Sequence, residues 1–369
     1  MEKNKKYGDF HSTDLTHPEK KLKGRGALGN PANRFEHLVR IPELDYEDES
    51  RAGMKTIFFE DTTRSIIAHN DSPDLPFSVS VNPYRGCEHG CVYCYARPTH
   101  EYLGFSSGLD FETKIFVKKD AARLLRKEFS SSTWRPQVVA MSGVTDPYQP
   151  IERRLEITRQ CLEVLAEFRN PVVMITKNAL ITRDMDIFLK LNRYQSICVY
   201  ISMTTLDKDL AGIMEPRASR PQERLETIER LSKQGIPVGI LTAPVIPGLN
   251  DQEIPEILKQ CAQRGAQFAG YVVLRLPFAV KSIFETWLTQ HFPDRKDKVL
   301  NRIRSLRDGK LNDPHFGSRM TGEGVWADHL QELFSVFCQK TGLNRKSPEL
   351  TTAFFRKSSR GQLMLFEES

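Results

Sequence analysis

From about residue 78 to 290, short β-branched segments alternate with amphipathic segments of helical length. The β-branched segments are 78–82, 136–143, 171–176, 196–202, 236–243 and 267–276. The helical segments between them are 118–129, 153–168, 182–191, 220–235 and 251–265. Two of the helical segments end on a glycine, Gly235 and Gly265, directly before the next strand, as helices often do.

About six strand–helix repeats predict right-handed βαβ units and a parallel sheet. We therefore expect an α/β fold with a partial (βα)6 TIM-type barrel, which suits six such units better than an open doubly wound sheet. Periodicity alone leaves both arrangements open. In either case functional groups are expected at the carboxyl ends of the strands.

The flanking regions predict four parts along the chain. Residues 1–75 are a basic, largely irregular N-terminal arm, which is either a solvated tail or a strip that lies along a surface or a phosphate backbone. Residues 76–291 form the core, 292–356 a helical C-terminal extension and 357–369 a flexible tail.

Composition restricts the class of protein. The 369 residues carry a net charge of +6, a mild basic bias that is compatible with an anionic partner. No apolar run approaches the roughly 18 residues that a membrane span needs, and the polar start has no secretory hydrophobic region. We expect a cytoplasmic protein with no membrane partner.

Three of the seven cysteines, Cys87, Cys91 and Cys94, follow the first strand with the spacing C-x3-C-x2-C. Such thiolates bind soft metals. A structural zinc site needs a fourth ligand, which His89 or His100 could supply. An iron–sulfur cubane normally takes four thiolates, so three leave one iron open to a substrate or cofactor. The residues alone leave both sites open.

The other four cysteines stand singly in apolar contexts, which is typical of small buried hydrophobes. They are Cys161, Cys198, Cys261 and Cys338.

With Tyr93 before the third cysteine, the loop resembles the C-x3-C-x-aromatic-C signature of the radical S-adenosylmethionine (radical SAM) enzymes. The resemblance implies that Cys87, Cys91 and Cys94 hold a [4Fe–4S] cluster and that SAM chelates the fourth iron. An electron donor of the flavodoxin or ferredoxin type would then drive cleavage of SAM to methionine and a 5′-deoxyadenosyl radical, which abstracts a hydrogen atom.

Later motifs follow the strand order of the same family, and the resemblance assigns them to SAM. Thr145 and Asp146 match a T-D-P element whose aspartate holds the SAM amino group, and Lys177 matches a contact to its carboxylate. Ser202 matches a hydroxyl near SAM. Ile246 would cover the adenine, and Gly248 would allow close backbone approach.

Over approximately residues 55–290 the chain resembles the spore photoproduct lyase-like, or DNA-repair-photolyase-like, group. The KGRGA and NPANRFE phrases of the arm resemble an uncharacterised branch of that group. Spore photoproduct lyase has a hydrogen-donating cysteine three residues before the aspartate. Gly143 stands there in this chain, between Ser142 and Val144, so thymine-dimer reversal by the same route is not expected.

Tyr93 and Tyr95 flank Cys94 and could carry a radical, although we expect Tyr95 to be buried packing.

These observations predict a radical SAM enzyme that acts on a nucleic acid, in DNA repair or base modification. The alternative is the same chemistry on a peptide or small metabolite. A second alternative, from a different class, is a non-enzymatic metal-stabilised binding module.

The C-terminal tail resembles the short peptide that docks bacterial proteins on the DNA polymerase sliding clamp. The matching residues are Gln362, Leu363, Leu365 and Phe366. A flexible leader with apolar anchors suits a preformed pocket. The alternative is a chain end that covers the protein's own surface.

Overall fold

Six parallel strands stand side by side at the centre of the molecule, in the order in which the chain forms them. The computed structural model describes residues 24–35 and 55–357. The strands are β1 Ile57–Glu60, β2 Ile67–His69, β3 Val79–Val81, β4 Tyr84–Arg85, β5 Lys114–Val117, β6 Val139–Met141, β7 Val172–Thr176, β8 Ile197–Ser202, β9 Val238–Val245 and β10 Phe268–Val273. The longer α-helices are α2 Ala121–Ser130, α4 Ile157–Phe168, α5 Met185–Asn192, α6 Lys208–Met214, α7 Pro221–Lys233, α8 Ile254–Gln263, α9 Val280–His291, α10 Lys296–Ser305 and α12 Val325–Thr341; the shorter ones are α1 Leu109–Thr113, α3 Glu152–Leu155 and α11 Ser318–Thr321.

The main sheet has seven strands in the order β10-β9-β8-β7-β6-β3-β2. Only β2 is antiparallel to its neighbour. Each parallel strand pairs with its predecessor in this series, which is the winding of a (βα) barrel rather than of a doubly wound sheet. In the described chain the series stays open between β10 and β2. The predicted α/β class with a partial (βα)6 core is confirmed.

The helices of the core follow the predicted amphipathic segments. In α4, for example, Cys161, Leu162, Leu165 and Phe168 are fully buried in the hydrophobic core, as the spacing of an amphipathic helix requires. Cys198, Cys261 and Cys338 are buried as expected.

The predicted helix 153–168 is divided into α3 and α4 at Glu156, whose φ is +53°. The buried carboxylate of Glu152 accepts hydrogen bonds from the backbone N–H groups of Thr158, at 3.0 Å, and Arg159, at 3.3 Å. It thereby satisfies donors at the start of α4 that have no partner within the helix. A side chain of one turn therefore caps the next helix, which periodicity does not reveal.

The arm is less irregular than expected, because β1 and β2 lie within it. Strand β1 pairs in parallel with β5, and β5 also pairs with β4 in a second, three-stranded sheet. The residues of β1 are largely exposed. Backbone pairing rather than apolar burial fixes this strand, so hydrophobic alternation gives no signal for it.

Helices α10, α11 and α12 lie within residues 292–356. Leu330 and Phe334 of α12 are buried, and the ring of Phe334 lies 4.8 Å from that of Tyr271 on β10. No helix of the described ranges is long and apolar enough to cross a membrane.

Replacing Gly265 by alanine should destabilise the protein more than replacing Gly235. Both residues have positive φ, +92° and +72°, where a side chain costs about 1–2 kcal/mol. At Gly265 the added methyl would also lie 2.0 Å from Oγ of Ser232, whereas at Gly235 nothing described lies within 4 Å. Urea unfolding of the two variants measures the difference. Equal losses would contradict a role for the Ser232 contact.

Candidate active site

The three clustered cysteines lie on the loop that follows β3 and the short β4. Cys87 is buried, and Cys91 and Cys94 are partly exposed. The backbone N–H of Cys87 donates to the carbonyl of Phe111 at 3.0 Å, and that of Val92 donates to the carbonyl of Met214 at 3.0 Å. Neighbouring elements thus fix the path of the loop at two points.

A buried ion pair supports the middle of the loop. The fully buried Arg97 donates from Nε and Nη2 to the carbonyl of Cys91, at 3.0 and 2.8 Å, and pairs with the fully buried Glu112. The Glu112 carboxylate also accepts from the backbone N–H groups of Gly26, at 3.0 Å, and Ala27, at 2.7 Å. One carboxylate therefore ties Gly26 and Ala27, in the described part of the KGRGA phrase, to the cysteine loop.

The same phrase approaches the loop without room for a side chain. A Cβ on Gly26 would lie 1.7 Å from the carbonyl oxygen of Gly90, between Cys87 and Cys91. A glycine is required here for close backbone approach.

The T-D-P element contacts the loop through Thr145. Oγ1 of Thr145 donates to the carbonyl of Gly86, the residue before Cys87, at 2.7 Å. Nε2 of Gln149 donates to the same oxygen of Thr145 at 3.1 Å, so the hydroxyl is held in place.

The largely buried carboxylate of Asp146 is ionised at neutral pH. It accepts from Oγ1 of Thr176 at 2.7 Å and from the backbone N–H of Lys177 at 2.9 Å, and Nδ1 of His89 lies 3.4 Å away. Burial by itself raises the pKa of Asp146, but His89 and these hydrogen bonds outweigh it and lower the pKa to about 2. A contact of this carboxylate with the SAM amino group stays a prediction.

Each histidine proposed for a zinc site has a ring nitrogen that lies against a group other than a cysteine. Nε2 of His89 lies 3.1 Å from Nδ2 of Asn178, and Nε2 of His100 lies 2.8 Å from the carbonyl of Lys114. In the part of the chain that is described, no three His, Cys, Asp or Glu side chains are arranged around a single metal ion.

The three thiols suit an iron–sulfur cluster. In such a cluster each thiolate binds a different iron, so the three sulfur atoms need not converge on one point. Burial raises the pKa of Cys91 to about 12, whereas Lys177 and Arg224 act in the opposite direction. Positive charge from a bound metal would hold these thiols as thiolates.

Lys177 lies close to the loop. Its Nζ is 5.8 Å from the centre of the Tyr93 ring, and its side chain is partly exposed. No described carboxylate lies within ion-pair distance of it. An ammonium group in this state is suited to binding a carboxylate of a ligand.

Tyr93 belongs to a buried network that the sequence did not predict. The Tyr93 hydroxyl, Oγ1 of Thr204 and the guanidinium of Arg224 all donate to the carboxylate of Glu215. Burial raises the pKa of Glu215, but Arg224, Lys177 and these hydrogen bonds lower it to about 2. The sequence signal is Arg224 itself, which lies on the apolar face of α7 one residue before the buried Leu225.

The remaining sites expected from the resemblance lie at the ends of β8 and β9. Ser202, the last residue of β8, is buried. Ile246 is fully buried in the same apolar cluster as Tyr93. Gly248 has a φ of +85°, and a Cβ there would lie 3.1 Å from Nη1 of Arg302. These roles toward SAM stay predictions.

The expectation that Tyr95 is buried is wrong, because the side chain is 50% exposed. Its hydroxyl donates to the carbonyl of Gly143 at 2.5 Å, and the guanidinium carbon of Arg275 lies 5.4 Å from its ring centre. The ring lies at the rim of the loop, where the described chain offers too few neighbours to cover it.

Solved structures of spore photoproduct lyase share this fold. A mutant with one tyrosine replaced by phenylalanine aligns with a TM-score of 0.57 and 15% identity over 82% of this chain and 86% of that chain. A double mutant with bound AdoMet and dinucleoside spore photoproduct aligns with a TM-score of 0.54 and 15% identity over 78% and 80%. At this identity the likeness concerns the fold alone.

The family follows from sequence. The model of the radical SAM superfamily matches residues 81–261. An uncharacterized protein of Mycobacterium tuberculosis is 35% identical over 245 residues, 66% of this chain and 71% of the relative. A radical SAM Nalpha-GlyT isomerase of Pseudomonas phage M6 is 26% identical over 188 residues, 49% and 37% of the two chains. The chain belongs to the radical SAM superfamily and is an enzyme.

Glu215→Gln should destabilise the protein by about 3–5 kcal/mol, because it leaves the buried Arg224 without its anionic partner. Tyr93→Phe removes one hydrogen bond to the same carboxylate and should cost about 1–3 kcal/mol. Chemical unfolding measures both. Glu226→Gln, at an exposed position of α7, is the matched control. A loss for Glu215→Gln no larger than this control would contradict the network.

Stability should fall as the pH decreases from about 6.5 to 4 because of His100. Burial lowers the pKa of His100 to about 4, so below pH 6.5 the unfolded chain binds a proton that the folded chain excludes. The loss reaches roughly 3 kcal/mol near pH 4. His100→Gln should reduce this dependence, and His69→Gln, on the exposed part of β2, is the control. Unfolding curves that respond identically to pH in wild type and His100→Gln would contradict it.

Proposed function

We propose that Cys87, Cys91 and Cys94 hold a [4Fe–4S] cluster whose open iron binds SAM. The observation that carries the proposal is the loop itself: three thiols on one segment at the carboxyl end of the first parallel strand, fixed through Arg97 and Thr145. When bound, the cluster and SAM supply one-electron cleavage that gives a 5′-deoxyadenosyl radical. The chain's own residues position the ligands and exclude water.

Around this centre we assign the SAM contacts by charge and shape. The ammonium of Lys177 would bind the SAM carboxylate, and the ionised Asp146 its amino group. Thr145 and Tyr93 would support the loop, and Ser202 would present its hydroxyl to SAM. The adenine would lie against the segment that contains Ile246 and Gly248.

We propose a nucleic-acid substrate, in DNA repair or base modification. The net charge of +6 favours an anionic substrate, as does Arg275, which lies over the ring of Tyr95 beside the cysteine loop and has no ion-pair partner among the described residues. A related fold holds a dinucleoside spore photoproduct. Gly143 carries no thiol, so a hydrogen-atom donor, where the reaction needs one, is not a cysteine at this position.

The second candidate is the same chemistry on a peptide or small metabolite. The sporulation killing factor maturation protein SkfB of Bacillus subtilis is 28% identical over 195 residues, 52% of this chain and 41% of that relative. Its name concerns the maturation of another protein, which favours a peptide.

Three further proposals concern partners and location. A flavodoxin or ferredoxin type donor would supply the electron, and the enzyme would act in the cytoplasm. The clamp-docking residues Gln362, Leu363, Leu365 and Phe366 lie outside the described residues, so docking on a sliding clamp stays a prediction.

Anaerobic reconstitution tests the proposal. Wild type should bind about four irons per chain and release 5′-deoxyadenosine from SAM when a reductant is added. Cys87→Ala, Cys91→Ala and Cys94→Ala should each lose most of the iron and this activity, whereas Cys261→Ala, in α8, is the matched control. A full iron content in the three cysteine variants would contradict the proposal. DNA, RNA and peptide pools added to the wild type then distinguish the two substrate classes by which pool stimulates SAM cleavage.

A further inference from the structure

Three arginines gather beyond the carboxyl end of β10. Arg275 follows the strand, Arg307 follows α10 and Arg319 lies in α11. Nη2 of Arg307 donates to the carbonyl of Leu274 at 2.7 Å and to that of Arg319 at 3.2 Å. These bonds hold the three residues together, and we call them the arginine cluster.

The arginine cluster has more positive charge than its surroundings balance. Asp74 pairs with Arg319 at 2.6 Å, and Asp313 lies near Arg307. Within the described ranges, no carboxylate oxygen lies within 4 Å of Arg275 or Arg307. The cluster is therefore short of anionic partners among these residues.

Some hydrogen-bond donors of the arginine cluster also lack acceptors. Arg307 is only 3% exposed, yet its Nε and Nη1, like Nε of Arg275, have no acceptor among the described residues. Buried donors without acceptors are rare in folded proteins. Burial lowers the pKa of Arg307 to about 10, and burial together with the charge of Arg319 lowers that of Arg275. A bound anion beside the arginine cluster would offset this excess of positive charge.

Two exposed aromatic residues contact the arginine cluster, and a third, Phe278, lies three residues after Arg275 in the chain. The rings of Tyr95, Phe278 and Phe316 are 50%, 61% and 55% exposed. Arg275 lies over Tyr95, and Arg319 lies over Phe316 at 4.4 Å. Phe278 has a φ of +50°, a costly conformation for an aromatic residue, and the guanidinium carbon of Arg34 lies 3.6 Å from its ring centre.

We propose that Arg275 and Arg319, held in place by Arg307, bind a backbone phosphate of the substrate strand, and that Tyr95, Phe278 and Phe316 stack against its unpaired bases. The inference rests on the proposed nucleic-acid substrate and names the surface that binds it. Tyr95 follows Cys94 directly, so a strand held here would lie beside the cysteine loop.

The chemistry favours a single strand with phosphodiester links. Planar guanidinium groups match phosphate oxygens in a bidentate manner. Exposed rings interleaved with arginines are the usual platform for unpaired bases, whose faces a duplex would hide.

Binding of fluorescent single-stranded DNA and RNA, followed by anisotropy over a range of salt concentrations, tests the inference in the reconstituted full-length protein. Arg275→Gln and Arg319→Gln should each weaken binding about tenfold. Each lost phosphate contact should reduce the slope of log K against log salt by about 0.7. Arg230→Gln, on the exposed face of α7, should change the affinity less than twofold.

Further measurements on folding, stacking and backbone charge keep the test decisive. Because Arg319 also pairs with Asp74, iron content and thermal unfolding are checked for each variant, and if Arg319→Gln is misfolded, Arg275→Gln alone carries the test. Phe278→Ala should weaken binding of the single strand several-fold without changing the salt slope, since a ring contributes stacking and no charge. An oligonucleotide with neutral methylphosphonate links should bind the wild type no better than the normal strand binds Arg275→Gln.

The outcomes separate this inference from the proposed function. If the wild type binds nucleic acid and Arg275→Gln behaves like Arg230→Gln, the arginine cluster is not the phosphate site, although the proposed substrate stands. If the wild type binds no nucleic acid even at low salt, the proposed substrate class itself fails. Loss of binding to acidic peptides alone in the arginine variants would overturn the inference in favour of a peptide site.

Discussion

The buried contact of Arg97 with Glu112 and the Cys91 carbonyl organises the rest of the site. A loop that presents three thiols has little apolar surface of its own, so it needs polar partners to define its path. Arg97, in the adjoining 3-10 helix, donates hydrogen bonds to the loop. Glu112 neutralises the charge of Arg97 and also accepts hydrogen bonds from the backbone of Gly26 and Ala27. An unpaired charge at this depth would be strongly destabilising, so the two side chains and the N-terminal phrase depend on each other.

Two further carboxylates near the loop are also held by hydrogen-bond donors. Glu215 is buried with Arg224 and binds Tyr93, while the ionised Asp146 is held by Thr176 and the Lys177 backbone. The carboxylates of Glu215 and Asp146 each accept several hydrogen bonds, and each connects the loop to a different strand end. The sheet thus determines where the thiols lie, and the Lys177 ammonium stands near them with no carboxylate partner in the described chain.

The sequence was sufficient for the strand–helix alternation, the glycine helix ends and the cysteine loop, because these depend on local periodicity and spacing. It was insufficient for β1, which pairs through its backbone while its residues stay exposed, and for the break at Glu156. Glu215 and Arg224 meet only in the folded chain, so spacing does not indicate their pairing. Tyr95 was expected to be buried, since an aromatic residue next to a core loop gives no sign of lying at its rim.

The central claim is that the three thiols hold a cluster with one iron left open to SAM. Electron paramagnetic resonance of the reduced, reconstituted protein tests it directly, with SAM added as the only change. The spectrum of the reduced cluster should shift when SAM binds. The amino nitrogen of bound SAM should show a hyperfine coupling to the cluster, and isotopic labelling of that nitrogen should change the coupling. A spectrum that saturating SAM leaves unchanged would contradict the claim.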